Sequence, residues 1–215
     1  MTDMIAITDG KVDTLRRAVA AGIACLDAGD LVVAPTETQY GLLGRADRSE
    51  VVAKVIRTKR RDESRPVSIF VRDMDKAGEL ATLSAEARCL GDRFLPGPLT
   101  ILVAADESEL PRPVVMDLRV GLRISSHRFM QAVMRDIDYP LTATSANLSG
   151  SPVGVSVDEI RRQLGSTVAL YIDDGPLSGP PSTVVDAAVH PVRVLREGSI
   201  SASAVAECLR DAGNG

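Results

Sequence analysis

Tryptophan is absent from the 215-residue chain, and three tyrosines and three phenylalanines make an aromatic share of only 3%. So few rings exclude a surface that stacks bases of single-stranded nucleic acid. Twenty-five Lys and Arg stand against 29 Asp and Glu, a formal net charge of −4. No global field therefore draws the protein to a polyanion, and any anion site has to come from a local cluster. The two histidines, His127 and His190, are far apart in sequence, and neither a Ser/His/Asp triad nor a His/Cys metal set suggests itself. Cys25, Cys89 and Cys208 are odd in number and widely spaced, which fits neither a disulfide framework nor a zinc motif and implies a reducing compartment. The start, Met1-Thr2-Asp3-Met4, carries acid rather than base, and no long apolar run follows. A cytoplasmic protein without signal peptide or membrane contact is expected. The glycine patterns of the P-loop and of the dinucleotide-binding turn are also missing.

What is present is an ordinary globular composition, 45% hydrophobic and 25% charged, enough to bury one core. Short apolar runs alternate with stretches of three- and four-residue period. Strands are expected at 5–7, 31–34, 66–71, 99–104, 120–124, 141–144, 168–172, 182–185 and 192–195. Helices are expected at 11–28, 50–60, 73–80, 84–95, 129–135, 156–164 and 201–210. Asp9 and Ser49 are read as caps of the first two helices, and Ser156 with Glu159 as a capping box. Gly29 and Pro96-Gly97-Pro98 are read as stops, and residues 106–113 as a surface loop. The mixture argues for a single α/β domain over residues 1–212, a twisted mixed sheet flanked by helices, with 213–215 as a frayed tail.

Four stretches carry chemistry. Thr36-Glu37-Thr38 follows the run Leu31–Ala34 and sets two hydroxyls at a strand's carboxyl end, where open α/β sheets bind ligands; the same residues also suit a turn closed by its own hydroxyls. Arg57, Lys59, Arg60, Arg61 and Arg65 place five cations within nine residues, against Asp62 and Glu63. That run reads either as a solvated helix end or as a phosphate clamp. Thr144-Ser145-Ala146-Asn147 and Pro181-Ser182-Thr183 add hydroxyls and an amide, and Arg123 and Arg196 add single guanidiniums at strand ends. The residues alone reach a cytosolic α/β protein with a site for an anionic small molecule.

Taken in order, the segments PTETQYGLLGRA, KVIRTKRRDESRPVSIFV, FLPGPLTILV, VGLRIS, LTATSANLSG and PSTVVD followed by VRVLREGSI resemble the YrdC-like threonylcarbamoyl-AMP synthases across nearly the whole chain. The resemblance implies a concave basic cleft and a reaction joining L-threonine, bicarbonate and ATP, with Mg²⁺, into threonylcarbamoyl-AMP and pyrophosphate. The product serves the threonylcarbamoyladenosine modification of tRNA. It further implies threonine contacts at Thr36, Arg123, Ser145 and Ser182, and ATP contacts at Lys59, Arg61, Arg65, Asn147 and Arg196. Lys59 and Arg61 would be the catalytic cations, and no protein metal ligand is implied. Glu37 is open between orienting its loop and helping to hold Mg²⁺. Expected partners are these substrates, transiently the proteins that transfer the threonylcarbamoyl group to tRNA, and weakly or not at all tRNA itself. Two other classes stay in view, an RNA-binding module of the same fold and a carbamoyl-transfer relative. Gln39, Arg60, Arg65 and Phe70 depart from the family's usual residues, and the further C-terminal domain of longer members has no counterpart in these 215 residues.

Overall fold

A computed structural model describes residues 3–105 and 110–213. The first two residues, 106–109 of the expected surface loop and 214–215 of the expected tail lie outside the described residues. The chain begins with β1 (Asp3–Ala6), α1 (Val12–Asp27), β2 (Val32–Ala34), β3 (Gly41–Leu43) and α2 (Ser49–Lys59). There follow β4 (Ser68–Phe70), α3 (Met74–Leu80), α4 (Ala85–Phe94), β5 (Leu99–Ala104) and β6 (Arg119–Arg123). The second half adds α5 (Arg128–Asp136), β7 (Leu141–Ser145), α6 (Val157–Leu164), β8 (Leu170–Asp173), β9 (Thr183–Asp186), β10 (Arg193–Arg196) and α7 (Ala202–Gly213).

All ten strands join in one sheet, in the order β1-β8-β2-β3-β7-β4-β6-β5-β9-β10. Pairing is mixed: β1 and β2 run parallel to β8, β4 to β6 and β5 to β9, while β7 is antiparallel to both β3 and β4. Because successive strand residues face opposite sides, β2 feeds two cores. Val32 and Ala34 pack with Val19, Phe129 and Met130 of α1 and α5. Leu31 and Val33 face the other way, against Val51 and Val55 of α2 and Ile160 and Leu164 of α6. A third core lies under α3, α4 and α7, where Ala87, Leu90 and Val205 meet Ile101, Leu122 and Val185.

Several local expectations need correction. β3 is an extra strand, formed by Gly41-Leu42-Leu43 directly after the Thr36–Thr38 turn. Ser49 is the first residue of α2 rather than its cap, and the capping position, Arg48, makes no side-chain bond to the helix. Asp9 does not cap α1; its carboxylate accepts from Lys11 N at 3.0 Å and Thr14 Oγ1 at 2.9 Å. Ser156 caps α6 as expected, but Glu159 returns its bond to Val155 N at 2.9 Å, one residue further out. Gly213 belongs to α7. Two of the widely spaced cysteines meet in space: the free thiols of Cys89 on α4 and Cys208 on α7 lie with their sulfurs 3.0 Å apart. Gly29 does end the turn after α1, at φ 79°, a conformation a side chain would strain. No helix among the described residues is long and apolar enough to cross a membrane.

Candidate functional site

The sheet's middle strands place a row of side chains on one face. Gly41 of β3 is paired with Ser145 of β7, Ala143 of β7 with Ser68 of β4, Phe70 of β4 with Arg123 of β6, and Thr100 of β5 with Val184 of β9. These residues line a cleft of about 210 Å³. Gly41, Ala143 and Ser68 are small and keep its floor low, while Phe70 forms a wall. The remaining walls come from loops: Thr36, Thr38, Gln39 and Tyr40 between β2 and β3, Arg61, Pro66 and Val67 after α2, and Pro181-Ser182 before β9. Gly198 lets the β10 loop close on that last wall, since a side-chain carbon there would collide with Pro181 O and Ser182 O.

Thr36 is buried and its hydroxyl closes its own turn, donating to Gln39 O at 2.6 Å and lying 3.1 Å from Thr38 Oγ1. The turn reading of this stretch holds, and the same turn presents Thr36 and Thr38 to the cleft. Tyr40 anchors the loop from beneath, its hydroxyl donating to Gly175 O at 2.6 Å and accepting from Asp174 N at 3.0 Å. Burial, opposed by the bond from Asp174, raises the Tyr40 pKa and keeps that hydroxyl protonated.

Three guanidiniums enter the cleft. Arg61 donates to Pro66 O at 2.9 Å, and Arg196 donates twice to Ser182 O, at 2.8 and 3.2 Å. Arg123 donates to Glu37 Oε1 and, at 3.1 Å, to Thr38 Oγ1, and lies 5.0 Å from the centre of the Phe70 ring. Burial, then the neighbouring charge of Arg65 or Arg123, lowers the pKa of Arg61 and of Arg196. Among the described residues no carboxylate side chain lines the cleft. Arg61 and Arg196 are partly desolvated and have no acid partner among the described residues, so an anion would relieve them; Arg123 is paired with Glu37.

Lys59, from the same basic run, is directed elsewhere. It is buried, and Nζ donates to Ser145 O, to Asn147 O at 2.8 Å and to Asn147 Oδ1 at 3.1 Å. Burial, then the charge of Arg61, pushes its pKa down to about 7. The three oxygens act against that shift, because a neutral amine has only two protons to give them. Asn147 in turn donates from Nδ2 to Ser151 O at 2.7 Å, and its Oδ1 accepts from Ser145 Oγ at 2.6 Å. Lys59 and Asn147 together hold the loop that carries Ser145.

Of the nine residues expected at the site, Thr36, Arg61, Arg123, Ser145, Ser182 and Arg196 line the cleft, whereas Lys59, Arg65 and Asn147 do not. Arg65 is exposed in the turn beside Arg61, whose Nε reaches its carbonyl at 3.4 Å. Sequence reasoning missed Ser68 and Thr100; Thr100 Oγ1 lies 3.0 Å from Ser182 Oγ. Their signal was strand parity: within Val67–Val71 the buried Val67, Ile69 and Val71 alternate with Ser68 and Phe70, which therefore share the opposite face. Among the described residues no cluster of three or more His, Cys, Asp or Glu is arranged to hold a metal ion.

Comparison with known proteins gives a concordant result. The sequence model of the Sua5/YciO/YrdC family, described as telomere recombination, matches residues 24–198. A putative threonylcarbamoyl-AMP synthase of Methanocaldococcus jannaschii is 35% identical over 182 residues, covering 84% of this chain and 85% of that protein. The threonylcarbamoyl-AMP synthase of Bacillus subtilis is 31% identical over 198 residues, 91% of this chain but 57% of that longer protein. Among solved structures, P. abyssi Sua5 complexed with L-threonine superposes with a TM-score of 0.86 at 26% identity, over 97% of this chain and 61% of that one. The match spans every wall of the cleft, from the loop of Thr36 to Arg196, and the chain belongs to the Sua5/YciO/YrdC family.

Proposed function

We propose that the protein is a threonylcarbamoyl-AMP synthase, joining L-threonine, bicarbonate and ATP and releasing pyrophosphate, in the service of tRNA threonylcarbamoyladenosine modification. The observation that carries the reading is the cleft itself: three guanidiniums, with no carboxylate among the described lining residues, set among the hydroxyls of Thr36, Ser145 and Ser182. Relatives at 31–35% identity bear that enzyme's name, and a related structure holds L-threonine.

In this reading Arg123 takes the amino acid's carboxylate, with Thr36, Ser145 and Ser182 around its amine and hydroxyl. The neutral amine adds to the carbon of bicarbonate with loss of water, or of CO₂ with loss of a proton, and an oxygen of the resulting carbamate attacks the α-phosphorus as its bond to pyrophosphate breaks. Holding these partners together supplies much of the rate enhancement. Arg61 and Arg196 meet charge that develops on the phosphates, and so act by electrostatic preorganisation rather than as nucleophiles. Lys59 serves the same step through the loop of Ser145 and Asn147. The enclosed volume is below the ~300 Å³ of typical small-molecule sites, so the adenosine extends past its walls.

Mg²⁺ fits as the companion of the ATP phosphates. The cleft offers hydroxyls but no acid to cage the ion, and Mg²⁺ commonly binds through substrate phosphates and water; its chemistry would be to neutralise the departing pyrophosphate. The net charge of −4 favours release of the product to other proteins over direct tRNA binding, in the cytoplasm. Incubation with ATP, L-threonine, bicarbonate and Mg²⁺ should release pyrophosphate only when threonine is present. No release under conditions where a relative works would overturn the proposal.

A further inference from the structure

Glu37 sits at the centre of a network of which the reaction just described uses only Arg123. It follows Thr36 in the loop after β2, yet its carboxylate points away from the cleft lining, toward the end of β6. Oε1 accepts from Arg123 Nη2, and Oε2 accepts from Ser125 Oγ. Ser125 Oγ also accepts from His127 N at 3.2 Å, the residue that caps α5. The Glu37 and Arg123 side chains are only 10% and 11% exposed, so the pair is rigid and little screened.

The arrangement divides the guanidinium into two parts. Both Nη2 protons are committed, one to Glu37 and one to Thr38 Oγ1. Nε is buried and has no acceptor among the described residues. Phe70 lies to one side of the plane. What Arg123 can still give a ligand carboxylate therefore comes from Nε, or from Nη1 on a diverging edge, in an orientation set by Glu37. A buried donor without an acceptor is costly in the free protein, and a ligand carboxylate would relieve it.

We infer that Glu37 is a positioning residue, fixing Arg123 so that its open Nε–H meets the carboxylate of the amino-acid substrate, and that it is not a ligand of the nucleotide's divalent cation. This rests on the proposed function. Both carboxylate oxygens of Glu37 are already taken, so a cation could reach them only by displacing Arg123 or Ser125. The sign of one effect separates positioning from simple charge balance. Glu37 repels an incoming carboxylate, and on Coulomb's law alone its removal strengthens anion binding. If its work is to orient Arg123, removal weakens that binding.

The test is calorimetric titration of the full chain with L-threonine, without nucleotide or metal, followed by steady-state kinetics at varied ATP and Mg²⁺. Glu37→Gln keeps the shape and removes the charge. It should weaken threonine binding at least 10-fold and raise the KM for threonine, while the KM for ATP and the half-saturating Mg²⁺ stay unchanged. Ser125→Ala keeps the charge and loosens only the second oxygen; about 3-fold weakening in the same direction is expected, and this variant decides the matter if Glu37→Gln does not fold. Unchanged or tighter threonine binding, or a shift in half-saturating Mg²⁺, overturns the inference. If the unaltered protein binds no threonine, the synthase reading falls with it; if it binds and the variants bind equally well, only the role of Glu37 falls.

Discussion

One residue separates Lys59 from Arg61, and the two cations meet opposite fates. Lys59 ends α2 with its ammonium enclosed by three oxygens of the Ser145–Asn147 loop, whereas Arg61 lines the cleft. Arg60 is the pivot between them. At φ 49° and ψ 42° it is left-handed, so the helical advance stops and the next side chain leaves the face a longer helix would have given it. A run of like charges is therefore not one functional unit. A desolvated cation committed to main-chain oxygens organises a loop; one with open donors is available to a ligand.

The contrast can be broken at each residue. The largest effect is expected from Lys59→Met, which leaves buried acceptors without a donor and should cost about 3 kcal/mol of unfolding free energy. A shift of the urea midpoint measures it; a variant of full stability that had lost only nucleotide affinity would move Lys59 to the ligand side. Arg61→Ala should show the reverse, an ATP affinity lower by about 2 kcal/mol, or roughly 30-fold, with a midpoint close to that of the unaltered protein. Retained nucleotide affinity would return the basic run to a solvated helix end. Arg60→Gly relieves the left-handed residue and should add about 0.5–1 kcal/mol of stability, read from the same denaturation curves; a loss would mean that Arg60 holds the pivot by its side chain.

The smallest effect lies outside the cleft lining, where His127 contacts Asp174 at 3.0 Å. Burial lowers the His127 pKa, although Asp174 pulls it upward. The unfolded chain thus takes up the proton first, near pH 6.5. The neutral imidazole's contribution is full above that pH and is lost on acidification below it. Unfolding at pH 7 and pH 5 should show a smaller loss for His127→Asn, which keeps a capping side chain without the titration; equal losses would assign the acid sensitivity to other groups.

Much of the fold was legible where one physical signal dominated. Pro96-Gly97-Pro98 ended α4, and the inward alternation of Val67, Ile69 and Val71 marked β4 and its flanks. β3 was hidden because Gly41-Leu42-Leu43 is three residues long, begins with a poor strand former, and is a strand only by pairing with β2 and β7. The site was legible as residue types in sequence order, and six of its nine expected members do converge. Lys59 could not be placed from sequence, since a lysine amid arginines reads as solvated. Its burial follows from a loop 86 residues away in the chain. The role of Glu37 was equally undetermined, because its partners Arg123 and Ser125 lie on a different strand and the loop beyond it.

The sheet order has a consequence for biosynthesis. β7 stands between β3 and β4, and β5 lies beside β9, so the walls of the cleft are drawn from residues 36 to 196. No early fragment leaving a ribosome owns the cleft, and its distant strand pairings are of the kind that form slowly. The helix ending at Lys59 can form early, but its ammonium has no partners until Asn147 has been made. Until then that lysine is an ordinary solvated cation, and synthesis of the second half converts it into part of the interior.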